Sequence, residues 1–580
     1  MTYVLGIHDS HNSTVCLLKD GKIEACVSEE RFKRIKNYTG TPVESIKFVL
    51  KYSKITPEDL DLVVLPSRIF ALPPEAIDTK NKNKMSNFLH QILALINKGA
   101  MLLPENFYFK IYNKLAPIYF GIKKRGKKYS ELLGIEEEKI VFMDHHLCHA
   151  YTSFYGSGFS DNFLVFTLDG GGDSLCGTVN IVEDGEIKRI SETSYFHSLG
   201  VLYLEITRYL GLKPLEHEYK VMGLAPYAPS YGVEKSYQIL KKFLTLDEKS
   251  LKFFSPVKAP NFKKHIRRVL YLHRFDWIAG AVQKLAEDLV TRWIIKTIEK
   301  TGIHDIALAG GVFMNVKLNL KIMNLPQVKK LFIFPSCGDE SLAIGAAYYG
   351  YEKLCKDEGR KVKIEPLGEL YLGPKYSNEE IKTTLLKEKS KAFKFKFIEN
   401  IEEKIAELLS NGEIVARFAG RMEWGARALG NRSILADASN YKVVKIINEM
   451  IKKRDFWMPF APTIIKKWED KYIVNPKRIP APYMILAFNS KDDAKRDLIA
   501  AMHPYDYTVR PQVLEKMSNE SYYKIIKNFE EITNRGGILN TSFNLHGFPI
   551  VCSPEDALHV FKNSGLKYLA MENWLIEKKG

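Results

Sequence analysis

The stretch DHHLCHAYTSFYGSGF, from Asp144 to Phe159, places three histidines and a cysteine within five positions. On a helix His145 and His149 are four apart and share a face. That spacing suits two imidazole ligands of one divalent ion, with His146 pointing elsewhere. Two histidines do not complete a site, so a further ligand must come from a distance. Asp339, in the polar loop SCGDES, is the candidate. The competing reading is a core helix whose histidines cap or pack. Cys148 is read as a small buried residue, because no C-x-x-C pair exists to give it a redox partner.

Three loops, SCGDES among them, have the composition of phosphate cradles. TLDGGGDS carries Asp169, Gly170 and Gly171; AGGVFMN carries Gly310, Gly311 and Asn315; SCGDES carries Gly338. Each follows an apolar strand. Glycines let a backbone approach phosphate oxygens, and an aspartate there can hold a phosphate-bound cation. Downstream, Arg421, Arg427 and Arg432 recur across a glycine-punctuated segment, followed by Lys452, Arg454 and Arg510. Guanidinium forks match phosphate and carboxylate oxygens bidentately. A basic surface is the alternative.

These residues need a scaffold. YVLGI and STVCLLKDGKIEACVSEE read as a strand and a hairpin, with Asp9 in the connecting loop. NFLVFTLDGGGDSLCGTVNIVEDGEIKRI repeats that theme from Asn162 to Ile190. A strand–loop–strand opening that recurs is how the duplicated, ribonuclease-H-like domain of actin-like and sugar-kinase-like ATPases is built. Between the repeats, about 70–130, lies a basic, aromatic, helically periodic insertion. It is read as packing and a substrate lid, with a membrane contact as the alternative. WIAGAVQKLAEDLVTRWIIKTIEK is a long amphipathic helix. Polar sequence around Pro366 and Gly368 marks a boundary, dividing the chain into 1–365 and a compact α/β unit at 366–580.

Composition narrows the classes. The 580 residues carry a formal net charge of +17, which favours acidic partners such as nucleotides, phosphorylated substrates, RNA or an anionic bilayer, or else a solvated basic surface. The N-terminus lacks a signal-peptide pattern and no apolar run is long enough to span a bilayer, so a cytoplasmic enzyme is expected. Seven scattered cysteines argue against a disulfide framework and a zinc knuckle.

Taken in order, HDS at His8–Ser10, SEERFKRIK at Ser28–Lys36, DHHLCHAYTSFYGSGF, EYKVMGLAPYA at Glu218–Ala228, AGGVFMN, GRMEWGARALGNRSI and LNTSFNLHGFPI resemble the O-carbamoyltransferases of nodulation-factor and antibiotic tailoring, the NodU/CmcH family. The resemblance spans nearly the whole chain. It implies an actin-like N-terminal domain and a YrdC-like α/β C-terminal domain. The latter would make carbamoyl-adenylate from ATP, with Mg2+, and carbamoyl phosphate. The former would pass the carbamoyl group to a hydroxyl of a sugar-like small molecule, with no nucleic acid partner. His145, His149 and Asp339 would hold a divalent metal, iron by resemblance. Asp9, with His8, is the candidate base, or else Asp9 holds its loop. Lys220 would neutralise phosphate or pair with Glu218. Arg421, Arg427, Arg432, Lys452, Arg454 and Arg510 would hold carbamoyl phosphate and ATP, with Asn540, Ser542 and Asn544 completing the site or forming a turn. A homodimer is a candidate assembly. Met458 stands where the family has arginine before PFAP. Carbamoyl transfer to a protein thiol, as in HypF, requires C-x-x-C zinc fingers that are absent here; threonylcarbamoyl modification of tRNA is the other related activity.

Overall fold

The computed structural model describes residues 1–67, 122–388 and 392–579. Most of the sequence assigned to the helical insertion therefore lies outside the described residues.

The first half-domain is a five-stranded sheet of β1 (Tyr3–His8), β2 (Thr14–Lys19), β3 (Lys22–Ser28), β4 (Leu62–Pro66) and β5 (Ile140–Met143), in the order β3-β2-β1-β4-β5. The second contains β6 (Phe163–Gly172), β7 (Leu175–Glu183), β8 (Glu186–Ser194), β11 (Asp305–Ala309) and β12 (Lys330–Ile333). Its order, β12-β11-β6-β7-β8, is the same path traced again. Each half opens with an antiparallel three-strand meander and then adds two parallel strands. The duplication read from sequence is thus present strand for strand. A small hairpin, β9 (Thr245–Asp247) and β10 (Lys252–Phe254), and several helices intervene before β11.

Two helices carry the halves against each other. His145–Gly156 follows β5 and Leu342–Asp357 follows β12. Gly345 allows their approach: a Cβ there would lie 1.9 Å from the Cys148 carbonyl oxygen. Gly6 does the same where β1 meets the second helix, its Cβ falling 1.9 Å from the Ala343 oxygen. The helix Ile122–Leu133, placed by sequence in the insertion, packs into the first half-domain core through Tyr129 and Leu133.

The C-terminal unit is an eight-stranded mixed sheet in the order β13-β20-β19-β14-β15-β18-β16-β17. Its strands are β13 (Phe393–Phe397), β14 (Val415–Phe418), β15 (Arg432–Ala436), β16 (Ala461–Ile465), β17 (Gln512–Leu514), β18 (Gly537–Ser542), β19 (Tyr568–Met571) and β20 (Trp574–Lys578). The motif SEERFKRIK clamps this unit to the first. Arg31 Nη2 donates to the Gly425 carbonyl at 2.7 Å, and Arg34 donates to the carbonyls of Ile550 and Pro549 and pairs with Asp556.

Candidate active site

The helix His145–Gly156 begins where Asp144 accepts the Leu147 amide at 2.8 Å, an N-cap that fixes which way its first turn faces. From that turn His145 and His149 project into the core. β6 supplies the third group. Its ladder with β7 breaks between Leu168 and Gly172, so Asp169, Gly170 and Gly171 bulge out of register. The bulge aims the Asp169 carboxylate at the histidines: His145 Nε2 lies 2.8 Å and His149 Nε2 3.4 Å from Oδ2. Asp339 arrives from the 3-10 turn Asp339–Ser341, with Oδ1 4.0 Å and 3.9 Å from the same two nitrogens. One ligand atom from each of His145, His149, Asp169 and Asp339 falls within 4.8 Å of all the others.

Sequence reasoning thus found three of these four and assigned Asp169 to nucleotide. His146, read as a non-ligand, lies outside that group: its Nδ1 is hydrogen-bonded to Thr167 Oγ1 at 2.9 Å, and its Nε2 faces Asp169 Oδ1 at 3.5 Å. Asp169 is therefore ringed by three imidazoles. The far nitrogen of His145 is fixed by Ser67 Oγ at 2.9 Å, as a second partner does for a ligating imidazole. Gly172 makes room, since a Cβ would stand 2.2 Å from the His145 ring.

The donor set fits a divalent cation. Asp169 Oδ1, His146 Nε2 and His149 Nε2 are buried without hydrogen-bond partners among the described residues, a costly arrangement unless something else engages them. Burial would raise the Asp169 carboxyl, but the neighbouring histidines hold it well below the usual carboxylate range. Burial pulls His149 down to about 4. Burial also opposes charge on His145, yet the Asp169 hydrogen bond and charge outweigh it and lift the ring to about 9. Asp339 is pushed up to about 7 by burial, partly offset by His145.

Asp9 occupies the place in the first repeat that Asp169 holds in the second, at the end of the opening strand. Its partner is different. Arg125 grips both oxygens, Nε to Oδ2 at 3.0 Å and Nη2 to Oδ1 at 2.5 Å, and Tyr129 donates to Oδ2 at 3.1 Å. Burial would raise this carboxyl, but Arg125 holds it below its ordinary value. The proposed base is thus already spoken for, and the geometry favours the loop-holding alternative. Arg125 also donates to the carbonyls of Pro66 and Ser67, so it ties Asp9 to the residue that orients His145. Beside it, His8 Nε2 donates to the His11 carbonyl at 2.9 Å, while its Nδ1 is buried and unpartnered among the described residues. Burial pulls the His8 ring down to about 3, so it is neutral.

The glycines divide by role. Gly170 and Gly311 have open space where a side chain would stand, as a phosphate cradle requires. Gly171 and Gly310 instead lie against Tyr195 and the Leu168 backbone, and Gly338 against the Glu340 carboxylate. Asn315 caps the helix Val316–Met323 and exchanges hydrogen bonds with Gln283.

The basic residues divide as well. Arg432 is the first residue of β15, fully buried, with its guanidinium 3.7 Å from the Phe418 ring centroid. It donates to the carbonyls of Ala419, Gly420, Asn431 and Pro374. Arg421 donates to the carbonyls of Gly373, Leu372 and Glu24 and stacks over Tyr52. Both brace loops, because backbone oxygens take the donors that were expected to face phosphate. Arg427, Lys452, Arg454 and Arg510 form a second set. Burial lowers all four: Arg427 falls to about 10, and Lys452 and Arg510 go well below their usual values, with the like charges adding to it. Lys452 lies in a π-helical turn, Asn448–Lys452, a geometry frequent at functional sites. It is held by Ser542 Oγ at 3.1 Å and Asn544 Oδ1 at 2.7 Å. Asn540 donates to Thr463 Oγ1 and the Ala428 carbonyl.

The loop 336–341 joins the two sets. Asp339 faces the histidines, while Ser336 Oγ donates to Glu340 and accepts the Ala426 amide at 2.9 Å, one residue before Arg427. Lys220 reaches across the same seam, but to Asp455 at 3.0 Å and not to Glu218.

Known proteins resemble this chain along its length. Residues 3–348 match the family model described as Carbamoyltransferase N-terminus and residues 406–578 that of Carbamoyltransferase C-terminus. An uncharacterized protein of Synechocystis is 30% identical over all of this chain and 97% of its own length. The nodulation protein NolNO of Sinorhizobium fredii is 30% identical over 98% of this chain and 79% of its own length. The solved structure of HypF from T. kodakarensis aligns with 62% of this chain and 48% of that one, at 13% identity and a TM-score of 0.33.

Proposed function

Because the chain belongs to the carbamoyltransferase family, we propose that it is an ATP-dependent O-carbamoyltransferase working in two steps. In the first, the C-terminal unit, taken as YrdC-like, lets water cleave carbamoyl phosphate to carbamate and phosphate, and the carbamate oxygen then attacks the α-phosphorus of ATP and expels pyrophosphate, leaving carbamoyl-adenylate. In the second, the N-terminal unit passes the carbamoyl group to a hydroxyl of a small, sugar-like acceptor, releasing AMP.

One observation carries the reading: Arg427, Lys452, Arg454 and Arg510, buried or half-buried and without a carboxylate within 4.0 Å among the described residues, form a set that adjoins, through Ala426 beside Arg427, the loop bearing Asp339 of the histidine–aspartate cluster. Buried cations crowded by other cations and not ion-paired are suited to receive an anion. Arg427, Arg454 and Arg510 would grip phosphate oxygens, and Lys452, positioned by Ser542 and Asn544, would add a point charge. Loop 336–341 then separates the first reaction from the second by a few residues of one turn.

His145, His149, Asp169 and Asp339 would hold the metal, for which we propose ferrous iron, a match for mixed imidazole and carboxylate donors. When bound, it would supply positive charge beside the phosphate of the departing AMP. His8 is the proton acceptor we favour over Asp9. Its Nδ1 is unengaged among the described residues, and the Asp9 charge partly opposes the burial that pulls the ring down to about 3.

The test is pyrophosphate release from ATP. It should require carbamoyl phosphate and proceed without any acceptor.

A further inference from the structure

From Leu251 to Phe275 the chain contains no acidic residue and seven lysines and arginines. At its centre the helix Phe262–Val269 buries Phe262 and Ile266 and turns Lys263, Lys264, Arg267 and Arg268 to solvent. At 100° per residue the four span one side of the helix. None has a carboxylate within 4.0 Å among the described residues, whereas Arg274 just beyond them pairs with Asp276. The helix runs into an exposed apolar tip. Tyr271 is 71% exposed, Leu272 85% and Phe275 56%, and Leu272 is held at φ 68°. Tyr231, 67% exposed, stands 5.4 Å from the Trp277 ring beside the same segment. Apolar side chains this exposed are left unused by the fold.

We propose that this face is a peripheral docking surface for an anionic lipid bilayer. Cations flanking exposed aromatic and aliphatic tips are what such an interface selects. The lysine and arginine heads meet lipid phosphates, and the tyrosine, leucine and phenylalanine enter the headgroup layer. A second copy of the chain is disfavoured, since four unpaired cations would face their own like. A nucleic acid would satisfy the cations but leave Leu272 and Phe275 in water. The surface shares no residue with the histidine–aspartate cluster or with the set around Lys452, so it does not depend on the reading of the reaction.

The experiment is co-sedimentation of the full chain with vesicles of phosphatidylcholine alone or with about one-third phosphatidylglycerol. The wild type should pellet with the anionic vesicles only, and added salt should release it. Reversing the four helix charges (K263E, K264E, R267E, R268E) should abolish binding, at about fivefold or more per charge. Y271S with L272S should weaken binding several-fold while leaving its salt dependence. Both variants should keep the wild-type circular-dichroism spectrum and Tm, which separates lost docking from lost folding. Three results would each overturn the proposal: no preference for anionic vesicles, binding indifferent to both variants, or a stable dimer that L272S converts to monomer. Retention on a single-stranded RNA with no vesicle binding would overturn it too, in favour of the nucleic acid.

Discussion

Lys452 is 3% exposed, and burial together with Arg454 and Lys36 lowers its pKa far below that of a free lysine. Holding its charge costs stability unless an anion is present. Lys452→Met should therefore leave the ligand-free protein as stable as wild type or more so. It should also abolish most of the rise in Tm that ATP produces and slow carbamoyl-adenylate formation about a hundredfold. Differential scanning calorimetry with and without ATP, beside a pyrophosphate assay, checks all three. The proposed metal ligands make a pH prediction. Free of metal, His145 holds its proton to about 9 and Asp339 to about 7. Both protons must leave before these atoms can ligate. Apparent metal affinity should thus climb steeply with pH below 7, about half as steeply from 7 to 9, and level off above; a flat profile in a competition titration contradicts the assignment. At this scale the sequence showed which residue types matter but not where each one points. Arg421, Arg427 and Arg432 look alike in a string. The pairing of Arg432 with Phe418 across β14 and β15 turns it inward to backbone oxygens, which leaves Arg427 as the one of the three proposed to meet an anion.

The elements that matter most are the bulge in β6 and the helix it faces. Gly172 touches the His145 ring where any side chain would collide, so Gly172→Ala must push the ring or the bulge aside. The expected result is metal content reduced at least tenfold and transfer lost, with carbamoyl-adenylate formation retained because the C-terminal sheet is untouched. Metal analysis and the two half-reactions assayed separately decide it. The duplicated meander was legible because its period-2 apolar runs and DG turns occur twice. The role of Asp169 was not. The glycines after it announce a loop, but a three-residue bulge that swings a carboxylate toward a helix leaves no periodic signature. Arg125 was missed for a related reason: it sits in a basic stretch that reads as solvated, and only the end of β1 shows that one of those charges has a buried partner.

At the scale of the whole molecule the two units meet along aromatic and apolar contacts, such as Phe334 against Trp424, and along charged and backbone ones. Lys220 pairs with Asp455, Trp457 Nε1 donates to the Lys220 carbonyl at 3.2 Å, and His503 Nε2 meets the Gly223 carbonyl at 2.9 Å. These contacts hold the helix Glu218–Leu224 of the first unit against the segment that bears Lys452 and Arg454. Lys220→Met should preserve the first half-reaction yet raise the ratio of free AMP to carbamoylated product, as the reactive intermediate escapes to water; an unchanged ratio would mean the seam does not retain it. The sequence suggested two units and a boundary, but not their seam, because contacts between residues more than two hundred positions apart have no local pattern. The account stands most directly on one measurement: the release of pyrophosphate from ATP by the purified chain, with and without carbamoyl phosphate. Release that appears only with carbamoyl phosphate and falls about a hundredfold in Lys452→Met is the predicted result. Release independent of carbamoyl phosphate, or none from a folded, metal-loaded protein, would contradict it.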